Sequence, residues 1–467
     1  MHTPVTPPNA TSQPSNTETV HSRLILTRNG ISEVLLVIEG SHLSLPRVEL
    51  PKWERPAPHL VAHAREQWQL DAIGLFAQQT VNGVSELAER FYVLESRQNS
   101  GSPPEGVVWY PIVGIDHAPL PSVTDSSVLE AAISQVKMYE RGQGAGTFAR
   151  SGWFEELSTW IQSHLTPLGL KLSGQWSQYS ISPSYCLVRY ETNGPKVWFK
   201  AVGDPREYTI TTKLAELCPA HLPTVIATRP DLRGWLAFEA KGRHLNEIGD
   251  LEDWKAAACS LAALQLETAA SSDALIAAGC ADLRLTQLRD LIEPFLQVVA
   301  ELMTRQPSCP PRILGRQDLQ VVERKLKFAC QRLEAFGLPE TLGNADLNPG
   351  NILVSQERTV FIDWMHGNIS HPLIALEHLL AIFRRLRPAL GTWEQSIRDA
   401  YSLPWRKLAS SETLASACQL TPLVAAFAFA VGCTGWRDGL QTATPNLAKL
   451  MRALGRRMHE EAQRISA

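Results

Sequence analysis

Residues 342–364 read LGNADLNPGNILVSQERTVFIDW, and their reading decides the fold. Asp346 is followed five positions later by Asn351. Two short apolar runs come next, 352–355 and 359–362, separated by polar residues, and Asp363 ends the second. Such runs around a polar turn predict a hairpin, with Pro349-Gly350 supplying a tight turn before it. The hairpin places Asn351 and Asp363 at adjacent strand ends. Phosphoryl transfer needs these residue types in this arrangement. One carboxylate orients a hydroxyl and accepts its proton, while a second carboxylate and an amide oxygen hold Mg²⁺ against phosphates. The competing reading is an ordinary loop with Asx turns. D-x4-N by itself is common, but the whole string with its hairpin and second Asp is specific.

Outward from this segment the chain separates into regions. Residues 185–191 and 196–201 read as strands about a turn at Asn193-Gly194, 207–217 as a helix, and 224–228 and 234–240 as strands. This strand–strand–helix–strand–strand order is that of a protein-kinase small lobe. Helical patterns follow at 254–269, 283–304, 317–336, 373–386 and most of 414–465. The expectation is an α+β chain with a two-lobed, protein-kinase-like fold. Its small β-rich lobe covers 151–242 and its large helical lobe 243–467.

In this segment the chain resembles the aminoglycoside phosphotransferase and choline kinase family, whose motif reads HGDxHPGN, then a strand and IDW. The resemblance puts Asp346 on the catalytic base and Asn351 and Asp363 on the two metal ligands. It implies transfer of the γ-phosphate of ATP or GTP to a small-molecule hydroxyl, with Mg²⁺ as cofactor. Asn344 stands where the family usually has His, Ala345 where Gly is common, and Asn348 where His is frequent. The His chiefly braces the catalytic loop, and an Asn has a shorter reach. Glu377 stands near the usual second Asp after IDW.

By the same resemblance, Lys200 at the end of the strand in VWFKAVG reaches the nucleotide phosphates. Glu207 in REYTITTKLAEL is its partner, with Glu216 as the alternative. The competing reading is a surface Lys and an N-terminal helix Glu favoured by the helix dipole. Glu239 marks a hinge that holds adenine through backbone groups. The nucleotide-covering loop is expected within 174–184, GQWSQYSISPS, which holds one glycine.

Residues 22–150 form a smaller α+β region with a helical linker. Strands are expected at 23–28 and 33–38 around Asn29-Gly30, at 92–95 and at 106–111, with a helix over 59–70. This region resembles a Nudix domain through LSLPRVELP and the helix AREQWQLDAIGL. Arg65 and Glu66 match the Arg-Glu pair of that family's helix, but Gln69 and Leu70 stand where its Glu-Glu pair is expected. Pyrophosphate hydrolysis is therefore not expected.

Bulk properties narrow the alternatives. The 467 residues suffice for two to four folding units. A net charge of -3 gives no general attraction to nucleic acid or anionic membrane. Eight cysteines include no CxxC pair, which removes the zinc and thioredoxin-like readings and fits reduced thiols of the cytoplasm. Residues 1–21 read as a polar, disordered tail and not as a signal peptide. The apolar run 423–433 is shorter than a bilayer requires and is expected to be a buried helix. His366 is weighed as a substrate contact against an ordinary loop histidine. The expected partners are a nucleoside triphosphate and a small-molecule alcohol. The second reading is a catalytically silent nucleotide- or ligand-binding regulator built from two degenerate enzyme domains.

Overall fold

The computed structural model describes residues 18–78, 89–97, 103–113, 120, 122–144, 146–247, 249–433, 435–438 and 444–465. The expected tail, apart from residues 18–21, lies outside them. The described chain has two compact units. The first takes residues up to Gly203 together with Val225–Glu239, and the second the remainder.

In the first unit, Asn29, Gly30 and Ile31 turn with positive φ between β1 (Thr19–Arg28) and β2 (Glu33–Glu39). There follow β3 (His42–Ser44), β4 (Arg47–Pro51), α1 (Pro56–Trp68), β5 (Ala72–Gln78), β6 (Arg90–Ser96) and β7 (Val107–Pro111). They form a seven-stranded mixed sheet with the path β3-β2-β1-β6-β5, β4 pairing with β1 and β7 with β2. Strands β1 and β6 run parallel. Helix α1 ends at Trp68, and Gln69 behind it adopts a left-handed conformation. The positions of the second Nudix pair thus fall past the helix end, where no helical face presents them beside Arg65. Arg65 itself pairs with Asp71 at 2.9 Å.

Helices α2 (Val123–Glu140) and α3 (Trp153–Leu165) lead to a second sheet. It comprises β8 (Leu172–Gln178), β9 (Cys186–Thr192), β10 (Val197–Ala201), β11 (Val225–Arg229) and β12 (Gly234–Phe238). The order is β11-β12-β10-β9-β8, antiparallel throughout. Strand β8 corrects the expected position of the loop. Half of 174–184 is strand, and the loop proper is 179–185. The register of β8 against β9 shifts between Leu172 and Trp176, around Gly174 at φ +83. That irregularity hides the strand's alternation from a sequence reading. One core runs from Ile25 and Val93 through Phe154 and Tyr190 to Leu236, joining both sheets across residue 150.

The second unit begins with α4 (Pro205–Leu217), where the Asp204 side chain accepts the Arg206 N–H. Its frame is α5 (Leu251–Thr268), α6 (Ser272–Ala277), α7 (Leu285–Thr304), α8 (Arg316–Ala335), α9 (Pro372–Leu386), α10 (Trp393–Trp405), α11 (Ser411–Cys433) and α12 (Pro445–Arg464). Apolar residues spaced three and four apart, such as Leu288, Ile292, Phe295 and Val299 of α7, fill its core. Two small sheets are set into this frame. One pairs β13 (Arg243–His244), β16 (Ile352–Val354) and β17 (Thr359–Phe361); the other pairs β14 (Ala281–Asp282), β18 (Gly367–Ser370) and β15 (Thr341–Asn344). The order β9, β10, α4, β11, β12, followed by helices with one hairpin, is the α+β element order expected from the sequence, with α4 belonging to the second unit and the strands to the first.

Helix α11 corrects the expected length of its apolar segment. Its 22 residues Ser411–Gly432 are long and apolar enough to cross a membrane, an 18-residue window within them reaching a mean hydropathy of 1.8. Leu414, Leu423 and Phe427 nevertheless belong to the second unit's core. Among the described cysteines, Cys186, Cys218, Cys280 and Cys330 are buried and Cys309 is exposed. Burial pushes the thiols of Cys218, Cys280 and Cys330 up to about 12.

Candidate active site

Strand β15 delivers Asn344, and the chain then turns outward at Asp346. Gly343 in that strand lies so close to β18 that a Cβ there would meet Asn368 Oδ1 at 2.8 Å. After Asp346, the Asn348 side chain accepts the Gly350 N–H at 3.0 Å and caps the turn at 349–351. Asn351 then enters β16. Residues 352 and 361 face each other in the hairpin, and the Ile362 N–H donates to the Asn351 carbonyl at 2.9 Å. Asn351 and Asp363 therefore stand at adjoining strand ends, as the motif predicts.

Asn344 ties the two loops together. Its side-chain oxygen accepts the Asp346 N–H at 2.9 Å, and its Nδ2 donates to the Asp363 carbonyl at 2.9 Å. The residue is 2% exposed. A planar amide with one acceptor and one donor is suited to this span, and the shorter reach of Asn is sufficient here. Asn351 Nδ2 donates to the Asp346 carbonyl at 3.4 Å, so the amide's oxygen is the end that could meet a cation. Below β15, the fully buried Gln265 of α5 donates to the Leu342 and Pro372 carbonyls at 3.0 and 3.1 Å. The Tyr401 hydroxyl of α10 lies against the same Gln265 oxygen and the Pro372 carbonyl.

The electrostatics of the three groups differ. Partial desolvation raises the Asp346 carboxyl above its ordinary value, although the residue still reaches solvent. His366 opposes that rise and the like charge of Asp363 adds to it. His366 is exposed, and its carbonyl accepts the Ala345 N–H at 3.1 Å. Asp363 has φ +65, a left-handed conformation that costs a non-glycine residue energy. Strain of this kind collects at functional positions, and here the Asn344 amide holds the carbonyl of the strained residue.

Two oxygen donors, from Asn351 and Asp363, fit Mg²⁺. This cation binds few protein groups and fills its octahedron with waters and phosphate oxygens. Among the described residues, no group of three or more His, Cys, Asp or Glu side chains could hold a metal by itself.

The other predicted residues are placed as follows. Lys200 lies on β10 in the first unit, with its Nζ 5.8 Å from the Trp235 ring and 6.0 Å from the Tyr185 ring. Glu207 is in the first turn of α4 in the second unit and is 4% exposed. The alternative, Glu216, points to solvent and pairs with Lys213 at 2.9 Å. Glu239 follows β12 in the first unit. Its carboxylate accepts Trp198 Nε1–H at 3.0 Å, and its N–H donates to the Lys196 carbonyl at 2.9 Å. Glu377 is withdrawn into the interior of the second unit, paired with Arg384 and Arg398 at 2.6 and 2.8 Å. Sequence reading missed Gln265 and Tyr401, whose only signal is a polar residue within an apolar helix pattern.

No protein-family model matches the sequence, and no curated protein is significantly similar to it. Solved structures show a distant likeness. The macrolide 2'-phosphotransferase MphH of Brachybacterium faecium is 17% identical over 64% of this chain and 97% of its own, with a TM-score of 0.41. A choline/ethanolamine kinase family protein of Mesorhizobium loti is 13% identical over 66% of this chain and 99% of its own, with a TM-score of 0.40. An ethanolamine kinase of Plasmodium vivax is 12% identical over 70% of this chain and 93% of its own, with a TM-score of 0.43. Likenesses of this size fix neither activity nor substrate.

Proposed function

We propose that the protein is a small-molecule kinase that transfers the γ-phosphate of ATP or GTP to an alcohol. The observation that carries this reading is the Asn344 bridge, which joins the loop of Asp346 to the strained loop of Asp363 beside Asn351. Asp346 orients the acceptor hydroxyl and takes its proton as the acceptor oxygen bonds to phosphorus. The bond from phosphorus to the bridging oxygen breaks, and the nucleoside diphosphate leaves. Asn351 and Asp363 are the residues that would hold Mg²⁺, which neutralises phosphate charge when bound. Lys200 pairs with donor phosphates, Glu207 is its proposed partner, and the segment at Glu239 meets the base.

The test is a screen of purified protein against an alcohol panel with Mg²⁺ and ATP or GTP, reading nucleoside diphosphate release. Asp346→Asn is expected to lower turnover by about 10²–10⁴-fold, the range typical of a positioned general base. Unchanged turnover in that variant would overturn the assignment. One observation favours the silent regulator instead, namely that residues 179–185 contain no glycine. Nucleotide-induced thermal stabilisation without release across the panel would select that reading.

A further inference from the structure

A loop without glycine takes its shape from what packs on it, and residues 179–185 pack on the N-terminal sheet of their own unit. Gln178, at the end of β8, is 3% exposed. Its Nε2 donates to the Gly74 carbonyl at 2.9 Å, and its Oε1 accepts the Gly74 N–H at 2.8 Å. Gly74 belongs to β5, the last strand on its sheet path. An edge strand leaves backbone groups unpaired, and the Gln178 amide closes one such pair as a neighbouring strand would. Ile181, within the loop, leans over the same glycine. A Cβ on Gly74 would lie 2.5 Å from Ile181 Cγ1 and 2.6 Å from its Cδ1. Further along, the Pro183 carbonyl accepts the Phe148 N–H at 3.1 Å. The loop also closes on itself, since the Leu187 N–H donates to Ser180 Oγ at 2.9 Å.

We propose that Gly74 and Gln178 are positioning residues for nucleotide binding, through which the N-terminal sheet holds residues 179–185 in the shape that meets the donor phosphates. This rests on the kinase reading above and adds a role for the N-terminal region that needs no chemistry of its own. Where other phosphate-covering loops follow the ligand through glycine's pliancy, this one is preformed. The ordering cost of the loop is then met during folding and not on binding.

Full-length Gly74→Ala, Ile181→Ala and the double variant test the proposal with two readouts. The first is hydrogen exchange of residues 179–185 without ligand. The second is the affinity for ATP with Mg²⁺ by calorimetry. Gly74→Ala is expected to raise exchange in the loop and weaken ATP binding about tenfold, an interaction energy in the range of contacting residues. The double variant, which restores room for the methyl group, should bind ATP within about threefold of Ile181→Ala alone, as directly coupled sites do. Should Gly74→Ala fail to fold, Ile181→Ala removes the same packing without adding atoms and should show both effects. Wild-type exchange and affinity in these variants would overturn the proposal. So would faster exchange with unchanged affinity, because the loop would then be held but not used. A wild-type chain that binds neither ATP nor GTP would instead overturn the kinase reading and this role with it.

Discussion

At the scale of single residues, Asn344 sets the site. It gives the Asp346 N–H and the Asp363 carbonyl their partners, so Asn344→Ala removes both bonds together. Both partners lie near solvent, and the expected cost is about 0.5–1.5 kcal/mol for each lost bond. Because the lost bonds position Asp346, the variant should lose kcat more than nucleotide affinity. A parallel titration of turnover and ATP binding checks this. Asp346 carries a second prediction. Its carboxyl is raised, chiefly by desolvation and further by Asp363, so the acid limb of kcat/KM, which reports the free enzyme, should lie above the ordinary aspartate value of 3.8. The charged form is disfavoured in the fold, so this group's contribution to stability is complete below that value and is lost as pH rises through the raised one. At neutral pH, Asp346→Asn should therefore melt slightly higher than the wild type while turning over less. Asp346, Asn351 and Asp363 were legible because their geometry is local, set by a turn and a hairpin within 18 residues. Whether an Asn can do the work of the usual His was not legible. That depends on the gap between two loops, a tertiary distance.

At the scale of elements, α9 and α10 are joined by four charges. Glu377 and Glu394 each meet both Arg384 and Arg398 at 2.6–2.8 Å. Glu377 is 1% exposed, so its conversion to Gln leaves two guanidinium groups short of one carboxylate. The expected loss is about 3 kcal/mol, at the lower end for a broken buried pair because Arg384 is partly solvated. A fall in thermal midpoint without loss of nucleotide affinity would mark this role as structural. Glu394 adds a pH signature. Hydrogen bonds from Arg384 and Arg398 bring its carboxyl down to about 2. Its contribution is present above the ordinary value of 4.5 and disappears as pH falls towards 2. The advantage of the wild type over Glu394→Gln should shrink by on the order of 2 kcal/mol across that window. Sequence reading found most helices from their spacing but missed β8, whose alternation is broken at Gly174, and α10. It placed Glu377 near a family position and could not foresee the two arginines. Only α10 brings Arg398 to it.

At the scale of the molecule, the sequence suggests a seam near residue 150, yet side chains cross it. The Arg97 guanidinium lies over the Phe154 ring at 4.8 Å. Glu95 of β6 accepts the Gly152 N–H at 2.9 Å and the Ser151 hydroxyl at the start of α3. Composition and turn signals mark where a chain changes character. They do not record which apolar faces meet, and a long-range pair such as Gly74 and Gln178 leaves no trace in local pattern. A chain beginning at residue 151 would uncover Trp153 and Phe154 where Phe148 and Arg97 pack on them, and would leave the buried Gln178 amide without Gly74. Compared with the full chain, it should scatter more light through aggregation or lose the near-ultraviolet signal of its aromatic core. A well-folded, soluble 151–467 fragment would show that the seam is a true boundary.

The distribution of thiols has a practical consequence. Four described cysteines are sealed in the interior, with three of them held at about 12, so few of their sulfurs are present as the reactive thiolate. Cys309, between α7 and α8, faces water. Among the described thiols Cys309 is expected to react first with a maleimide dye, giving the second unit an optical reporter separated from the Asp346 turn by α8 and β15 in sequence.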